Sequence, residues 1–308
     1  MEPRVLLPRL SLRKIACFVA TADAGSVSAA AQRLGLSQAG LSEALSDLEK
    51  DLGINLFIRQ KAKGVTITCA GQQILPEARQ LVRQVEEFQA LTRGSGTHLS
   101  GELTIGCFHT FLPILAPALL TEFTARHPNV KVRFVEDTQR NLEHSMLAGT
   151  IDMSILYDID VGPDFERQHL YYSEAYVLLS PQHRLANSTD PVDLSLLVDD
   201  PYIQLDGLPG RNDHVFSTLG MKPQIAHRST NFEMIRALVA RNHGYAVLIQ
   251  RPKHCCTYEG LPLVIRPIAN PVPPIAAILG WPSNIHLPRR GRAFINFCLE
   301  FFKEKEHR

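Results

Sequence analysis

Proline is absent from Arg9 to Leu75 and frequent afterwards: of the 20 in this 308-residue chain, only Pro3 and Pro8 precede Pro76. A proline-free stretch of that length, rich in Ala and Leu, favours a compact helical head. Leu12, Ile15, Phe18 and Val19 recur at helical spacing and predict a first helix ended by Gly25. Ser26 is suited to cap a second helix over 27–34, where Ala29, Ala30 and Ala31 allow another helix to approach and Gly35 supplies the stop. Ser37 caps a third helix reaching about Asp51, buried through Leu41, Leu45 and Leu48. Two short helices joined through Gly35-Leu36-Ser37 make a helix-turn-helix pattern. The β-prone runs 56–59 and 65–68, on either side of Lys61-Ala62-Lys63-Gly64, predict a two-stranded wing.

A long helix is expected from about Ala70 to Thr92, with Ile74, Ala78, Leu81, Val85 and Phe88 spaced alternately by four and three. Such a 3.5-residue seam suits pairing with a second helix; an ordinary amphipathic helix lying on its own domain is the alternative. Arg93-Gly94-Ser95-Gly96-Thr97 reads as a hinge. From Gly101 onward short β-rich runs alternate with helical ones, which predicts a mostly parallel α/β sheet. The expected division is a winged helix-turn-helix domain over 1–70, a linker helix over 71–93, a hinge over 94–100 and an α/β domain over 101–308.

Composition narrows the partners. Residues 1–93 carry 12 basic and 9 acidic side chains, the remainder 20 and 22, a tilt that points the head towards a polyanion. Arg4, Arg9, Arg13 and Lys14 leave no room for a signal-peptide apolar region. The two long uncharged stretches, 103–121 and 267–288, are broken by prolines and read as core segments, so no membrane partner is expected. Six cysteines without regular spacing read as reduced thiols. The expected location is the cytoplasm.

The head resembles the LysR-type transcriptional regulator family. The residues that carry the resemblance are Phe18, Gly25-Ser26, Ala30-Ala31, Leu34, Ser37-Gln38, Ser42, Leu48-Glu49, Leu52-Gly53, Leu56-Phe57, Arg59, Thr68 and Ala70-Gly71. They cover 12–71 almost without gaps. Weaker matches follow at Pro128-Asn129-Val130, at Gly149-Thr150-Ile151-Asp152 and over 238–248. The resemblance implies an α/β protein overall: an all-α winged helix-turn-helix, a linker helix that forms a homodimer, and a two-lobed effector domain similar to periplasmic binding proteins. It implies lobe I over 101–163 and 270–308, and lobe II over 164–269. It further implies duplex DNA and a small-molecule effector as partners, assembly to a homotetramer, and RNA polymerase as a candidate contact.

Chemistry assigns the head residues their parts. A helix N-terminus offers amide donors to phosphate. Ser37 and Ser42 can donate to phosphate oxygens, and Gln38 can present its amide to an adenine edge in the major groove. Ser26, Ser28 and Arg33 on the second helix, and Arg59, Lys61 and Lys63 on the wing, complete the expected DNA-contacting set together with Ala39, Gly40 and Glu43. Many members of the family carry proline after the Ser-Gln pair and a basic or amide residue beyond it; here Ala39, Gly40 and Glu43 fill that stretch. Gly40 permits close backbone approach. Glu43 can accept from a cytosine amino group but repels phosphate, and with Asp47 it makes the recognition helix acidic.

Ligands of two-lobed α/β folds bind beyond the carboxyl ends of strands, facing helix N-termini. That rule selects Phe108, His109, Thr110, Thr138, Gln204, Asp206, Ser229, Thr230 and Asn231, with Thr110 as the primary anchor. Hydroxyls and amides at helix starts suit a carboxylate, and a cationic His109 would reinforce that preference, so an organic acid is the expected effector. No cofactor, metal site or catalytic constellation is expected: no Gly-rich phosphate loop, nucleophile elbow or paired carboxylate stands out, and Cys107, His109, His254, Cys255 and Cys256 lack zinc-ligand spacing. A solute-binding protein and an enzyme on the same scaffold are the rival readings: the first would need a signal peptide and not residues 12–71, the second a cluster of perturbed titratable groups.

Overall fold

The computed structural model describes residues 10–60, 64–92, 99–207 and 214–306. They divide into two compact units, one of residues up to 99 together with 147–150, the other of 100–146 and 151 onward. In the first, α1 (Leu12–Ala24), α2 (Val27–Leu34) and α3 (Gln38–Leu52) are followed by β1 (Phe57–Gln60), β2 (Gly64–Ile67) and α4 (Cys69–Thr92). Gly25, Gly35 and Gly53 close the three short helices in the left-handed conformation, while the Ser26 and Ser37 hydroxyls accept from the Ala29 and Gly40 amides at the next helix starts. Phe18, Ala30, Ala31, Leu41, Leu45, Leu48 and Leu56 form the core beneath them.

The wing is fixed to this core by side chains that the backbone needs. One Glu49 carboxylate oxygen accepts from the amides of Leu56 (2.7 Å) and Phe57 (3.1 Å), so α3 holds the entry to β1. The Thr68 hydroxyl donates to Asn55 O (2.7 Å) and accepts from the Gly71 amide (3.0 Å), tying the exit of β2 to the start of α4. Gly71 cannot be larger: a Cβ there would lie 2.5 Å from the Leu56 carbonyl oxygen.

The second unit contains β3 (Gly101–Phe108), α5 (Leu112–Arg126), β4 (Val130–Asp137), α6 (Gln139–Leu147), β5 (Met153–Tyr157) and β6 (Phe165–Ser173). It continues with β7 (Tyr176–Leu179), β8 (Pro201–Leu205), α7 (His214–Thr218), β9 (Gln224–Ser229), α8 (Phe232–Ala240), β10 (Ala246–Leu248), β11 (Val264–Pro267), β12 (Ile275–Pro282) and α9 (Arg289–Glu306). Five strands order as β4-β3-β5-β12-β6, with β3 parallel to β4 and β5 but β12 antiparallel to both its neighbours. In the other lobe β7 pairs antiparallel with β10 and β11, and β8 lies parallel to β9. A parallel bridge between Tyr202 and Tyr245 joins these two pieces.

Two expectations are corrected here. The sheets are mixed rather than mostly parallel, because the chain re-enters the first lobe along β12 in the opposite direction. The lobe boundary also moves: β6, which the division at 164 placed in lobe II, pairs along its length with β12 in the first sheet, so the crossing comes after Ser173. No sequence pattern announced β6. As an edge strand carrying Glu166, Arg167, Gln168 and His169 in succession, it lacks the apolar alternation of a half-buried strand.

Candidate nucleic-acid interface and ligand cleft

The first site is the outward face of the α2–turn–α3 pair. With Leu41, Leu45 and Leu48 facing the core, helical periodicity turns Gln38, Ala39 and Glu43 outward, and all three are exposed, as are Ser28, Arg33, Ser37 and Gly40. Ser26 and Ser42 are half-buried. The hydroxyls of Ser26 and Ser28 lie 2.9 Å apart, so the pair forms a small polar step at the start of α2. At Gly40 the nearest atom to an added Cβ would be the Ser37 cap oxygen, so the glycine leaves the first turn of α3 flat. Asp47 is less of an obstacle to phosphate than expected: it and Asp51 face Lys14 of α1 at 3.3 and 2.9 Å. The acidic side chain left on the exposed first turns of α3 is Glu43. Arg59 lies in β1, while Lys61 and Lys63 fall outside the described residues.

The five seam positions of α4 do not act alike. Ala78 is only 7% exposed, and Ile74 is half-buried against the core of the head. They pack within one chain, which corrects their assignment to a pairing seam. Farther along the 24-residue helix, Leu81 and Phe88 are 42% and 67% exposed, with Val85 half-buried between them. The uniform 3.5-residue spacing concealed this division because both a core face and a pairing face satisfy it.

The second site is a cleft of about 820 Å3 in the second unit, walled by the starts of α5 and α8 and the loop at Tyr258. Of the nine expected ligand residues it collects four: His109, Ser229, Thr230 and Asn231. Asn231 caps α8 through the Met234 amide (2.9 Å), and the Ser229 hydroxyl accepts from the Asn231 amide (3.0 Å). Phe108, Thr110 and Gln204 are buried behind the cleft instead. Thr110, 2% exposed, has its hydroxyl 3.4 Å from that of Tyr157, which corrects its role as primary anchor. Thr138 and Asp206 do not line the cleft either.

His109 is also not the expected cation. Burial lowers its pKa from 6.5 to about 4, against the opposing pull of Asp137. Its ring packs on Phe108 at a centroid distance of 4.0 Å, and an added Cβ at Gly207 would come within 2.6 Å of His109 Cε1. The imidazole is thus wedged between the two lobes and stays neutral at physiological pH.

Sequence reasoning missed Leu112, Pro113, Glu136, Phe232, Glu233 and Met234. Glu136 sits near the carboxyl end of β4, where the strand-end rule that selected Thr138 could have found it. Met234, exposed on α8, is one apolar residue among several on that helix and gave no signal of its own. Ala237 and Tyr258, also in the lining, carried no signal. Glu233 stands 3.0 Å from the guanidinium of buried Arg236 and accepts from the Tyr258 amide, while Arg236 donates to the carbonyls of His254 and Cys256. These contacts hold the Tyr258 loop against α8. Among the described residues no group of three His, Cys, Asp or Glu is placed to hold a metal, and no helix is long and apolar enough to cross a membrane.

Residues 12–72 match the family model described as "Bacterial regulatory helix-turn-helix protein, lysR family", and residues 96–303 match "LysR substrate binding domain". The Hca operon transcriptional activator HcaR of Escherichia coli is 27% identical over 287 residues, covering 88% of this chain and 92% of that one. HinK, a LysR family transcriptional regulator from Pseudomonas aeruginosa, has a crystal structure that superposes with a TM-score of 0.62 at 32% identity, over 95% of this chain and 98% of HinK. The C-terminal domain of a probable LysR family regulator from Rhodococcus sp. RHA1 matches at 38% identity and a TM-score of 0.62, covering 65% of this chain and 99% of that domain.

Proposed function

The chain belongs to the LysR family of transcriptional regulators, DNA-binding proteins with an effector-binding domain rather than enzymes, and on that premise we propose how its own residues divide the work. In this reading α3 enters the major groove of duplex DNA with Gln38 against a base edge and Ala39 and Gly40 closest to the bases. Ser37, Ser42, Ser26, Ser28 and Arg33 contact the flanking phosphates, and Arg59, Lys61 and Lys63 follow the backbone from the wing. Glu43 disfavours phosphate close by, so affinity depends on the wing and on two heads binding together. The exposed apolar Leu81 and Phe88 support a homodimer through α4; assembly to a homotetramer and contact with RNA polymerase extend the same reading. A small molecule in the His109–Asn231 cleft changes the closure of the lobes and thereby the spacing of the heads, a population shift rather than a reaction.

The observation that carries the reading is the polar, flat first turn of α3, exposed on one side and locked into the core on the other. The test is a gel-shift titration of the full-length protein on the DNA upstream of its own gene at several salt concentrations. Gln38→Ala is expected to weaken binding about 5- to 150-fold and to relax discrimination at one base pair, a cost of about 1–3 kcal/mol for a lost bidentate contact. Arg59→Ala should weaken all sequences alike and reduce the salt slope by about one. Binding that ignores both substitutions overturns the assignment.

A further inference from the structure

We infer that the cleft selects a compact aromatic or apolar molecule bearing a protonated amine, with Glu136 as its counter-charge, over the corresponding carboxylate. The inference rests on the reading of this cleft as the effector site and names the ligand class that its walls accept. Those walls are apolar on both sides: Leu112 and Pro113 on α5 face Phe232 and Met234 on α8, with Tyr258 at the rim. The charged side chains lining it among the described residues are both acidic, Glu136 and Glu233. Glu233 already has Arg236 and the Tyr258 amide, which leaves Glu136, exposed near the end of β4, as the charge open to a ligand. Asp137, the next residue, adds to the negative field, since it acts on His109 from the same strand end.

The lining groups that would favour an anion carry no charge. Neutral His109 brings no charge, and its Nε2 is buried without a hydrogen-bond partner. The start of α8, ordinarily attractive to anions, carries the Asn231 cap on the Met234 amide and the Glu233 carboxylate in its first turn. An incoming carboxylate therefore meets like charge without a compensating cation among the described lining residues, a repulsion that solvent screens in part because Glu136 is exposed. An ammonium group meets the opposite field, while its ring or alkyl body covers the exposed Met234 and Tyr258.

The test is calorimetric titration of the full-length protein with triplets that share a ring and differ in the head group. Phenethylamine, 2-phenylethanol and 3-phenylpropanoate form one triplet, and the cyclohexyl and indolyl counterparts form two more. The expected result is amine binding at least tenfold tighter than acid in one or more triplets, with Glu136→Gln erasing most of that preference. Acids binding as tightly as their amines throughout, or no amine binding, overturns the proposed class. Ala237→Trp, which fills the cleft from α8, separates this failure from a deeper one. An acid whose binding Ala237→Trp abolishes sinks the amine preference but keeps the cleft; an amine that binds this variant undiminished shows that the ligand sits elsewhere and sinks both.

Discussion

The two units treat their polar groups in opposite ways. In the head, polar side chains find backbone partners: Glu49 takes two amides, Thr68 bridges β2 to α4, and the buried Thr21 hydroxyl donates to Cys17 O one turn back in α1. In the second unit, several polar atoms are buried without a hydrogen-bond partner from the protein. Among the described residues these include His109 Nε2, Ser154 Oγ, His169 Nε2, Gln204 Oε1 and Tyr245 OH, whereas none falls in the head. A buried polar atom costs about 1–3 kcal/mol where neither protein nor water pairs with it. The head is built to present a fixed surface to a fixed partner. The effector unit holds unsatisfied groups in and around the lobe that must respond to a ligand, which lowers the cost of rearranging there.

The largest expected effect tests the satisfied side of that contrast. Glu49→Ala strands the Leu56 and Phe57 amides and should cost the head about 1.5–3 kcal/mol, the range for bonds to a charged group. Hydrogen–deuterium exchange on the full chain is expected to show lost protection over residues 12–71 and unchanged protection in the second unit. Glu49→Gln, which keeps an acceptor, should recover most of the loss. Equal loss in both units would mean that they are not independent in the way the contrast requires.

The next effect tests the unsatisfied side through pH. The folded pKa of His109 is lowered to about 4 while the unfolded chain titrates near 6.5. Below pH 6.5 the unfolded state therefore binds the proton that the folded state refuses. His109 contributes its full share of stability above pH 6.5, loses it as the pH falls towards 4, and changes little below that. After allowance for the part of the ring that meets solvent, the decline should be about 1–2 kcal/mol, confined to the effector unit. His109→Gln should flatten it. A decline of the same size in that variant would assign the acid sensitivity to another group.

The same contrast explains what could be read in advance. Gln38, Ser37 and Arg33 belong to one local motif whose spacing along α2 and α3 sets their positions, so the head and the exposure of these three were legible in the sequence. The cleft is assembled from four segments far apart in the chain, at 109–113, 136, 229–237 and 258. Strand-end reasoning located its neighbourhood but could not say which side of a turn would face inward: His109 lines the cleft while Thr110, the next residue, is buried. The protonation state of His109 was beyond reach for the same reason, because burial is a property of the assembled lobes. On α4 the failure was one of degeneracy, since Ala78 and Phe88 obey a single spacing yet face a core and solvent respectively.

The smallest effect is the sharpest, because it predicts a change of sign. Thr21 and Tyr245 are both fully buried hydroxyl residues, one in each unit. The Thr21 hydroxyl has a partner at 2.8 Å, while the Tyr245 hydroxyl has none, and the same burial pushes its pKa up. Thr21→Val removes a made bond and should cost about 0.5–1.5 kcal/mol. Tyr245→Phe removes only the unpaired oxygen; the backbone of residue 245 keeps its bonds to Pro201 and Ile203. That substitution should stabilise the effector unit by about 1 kcal/mol, since the desolvation cost disappears and the ring contacts with Tyr202 and Phe216 remain. Denaturant unfolding with a reporter in each unit would read both. If Tyr245→Phe destabilised its unit as Thr21→Val does its own, the hydroxyl would have to be satisfied by bound water, and the second unit would be as fully hydrogen-bonded at that point as the head.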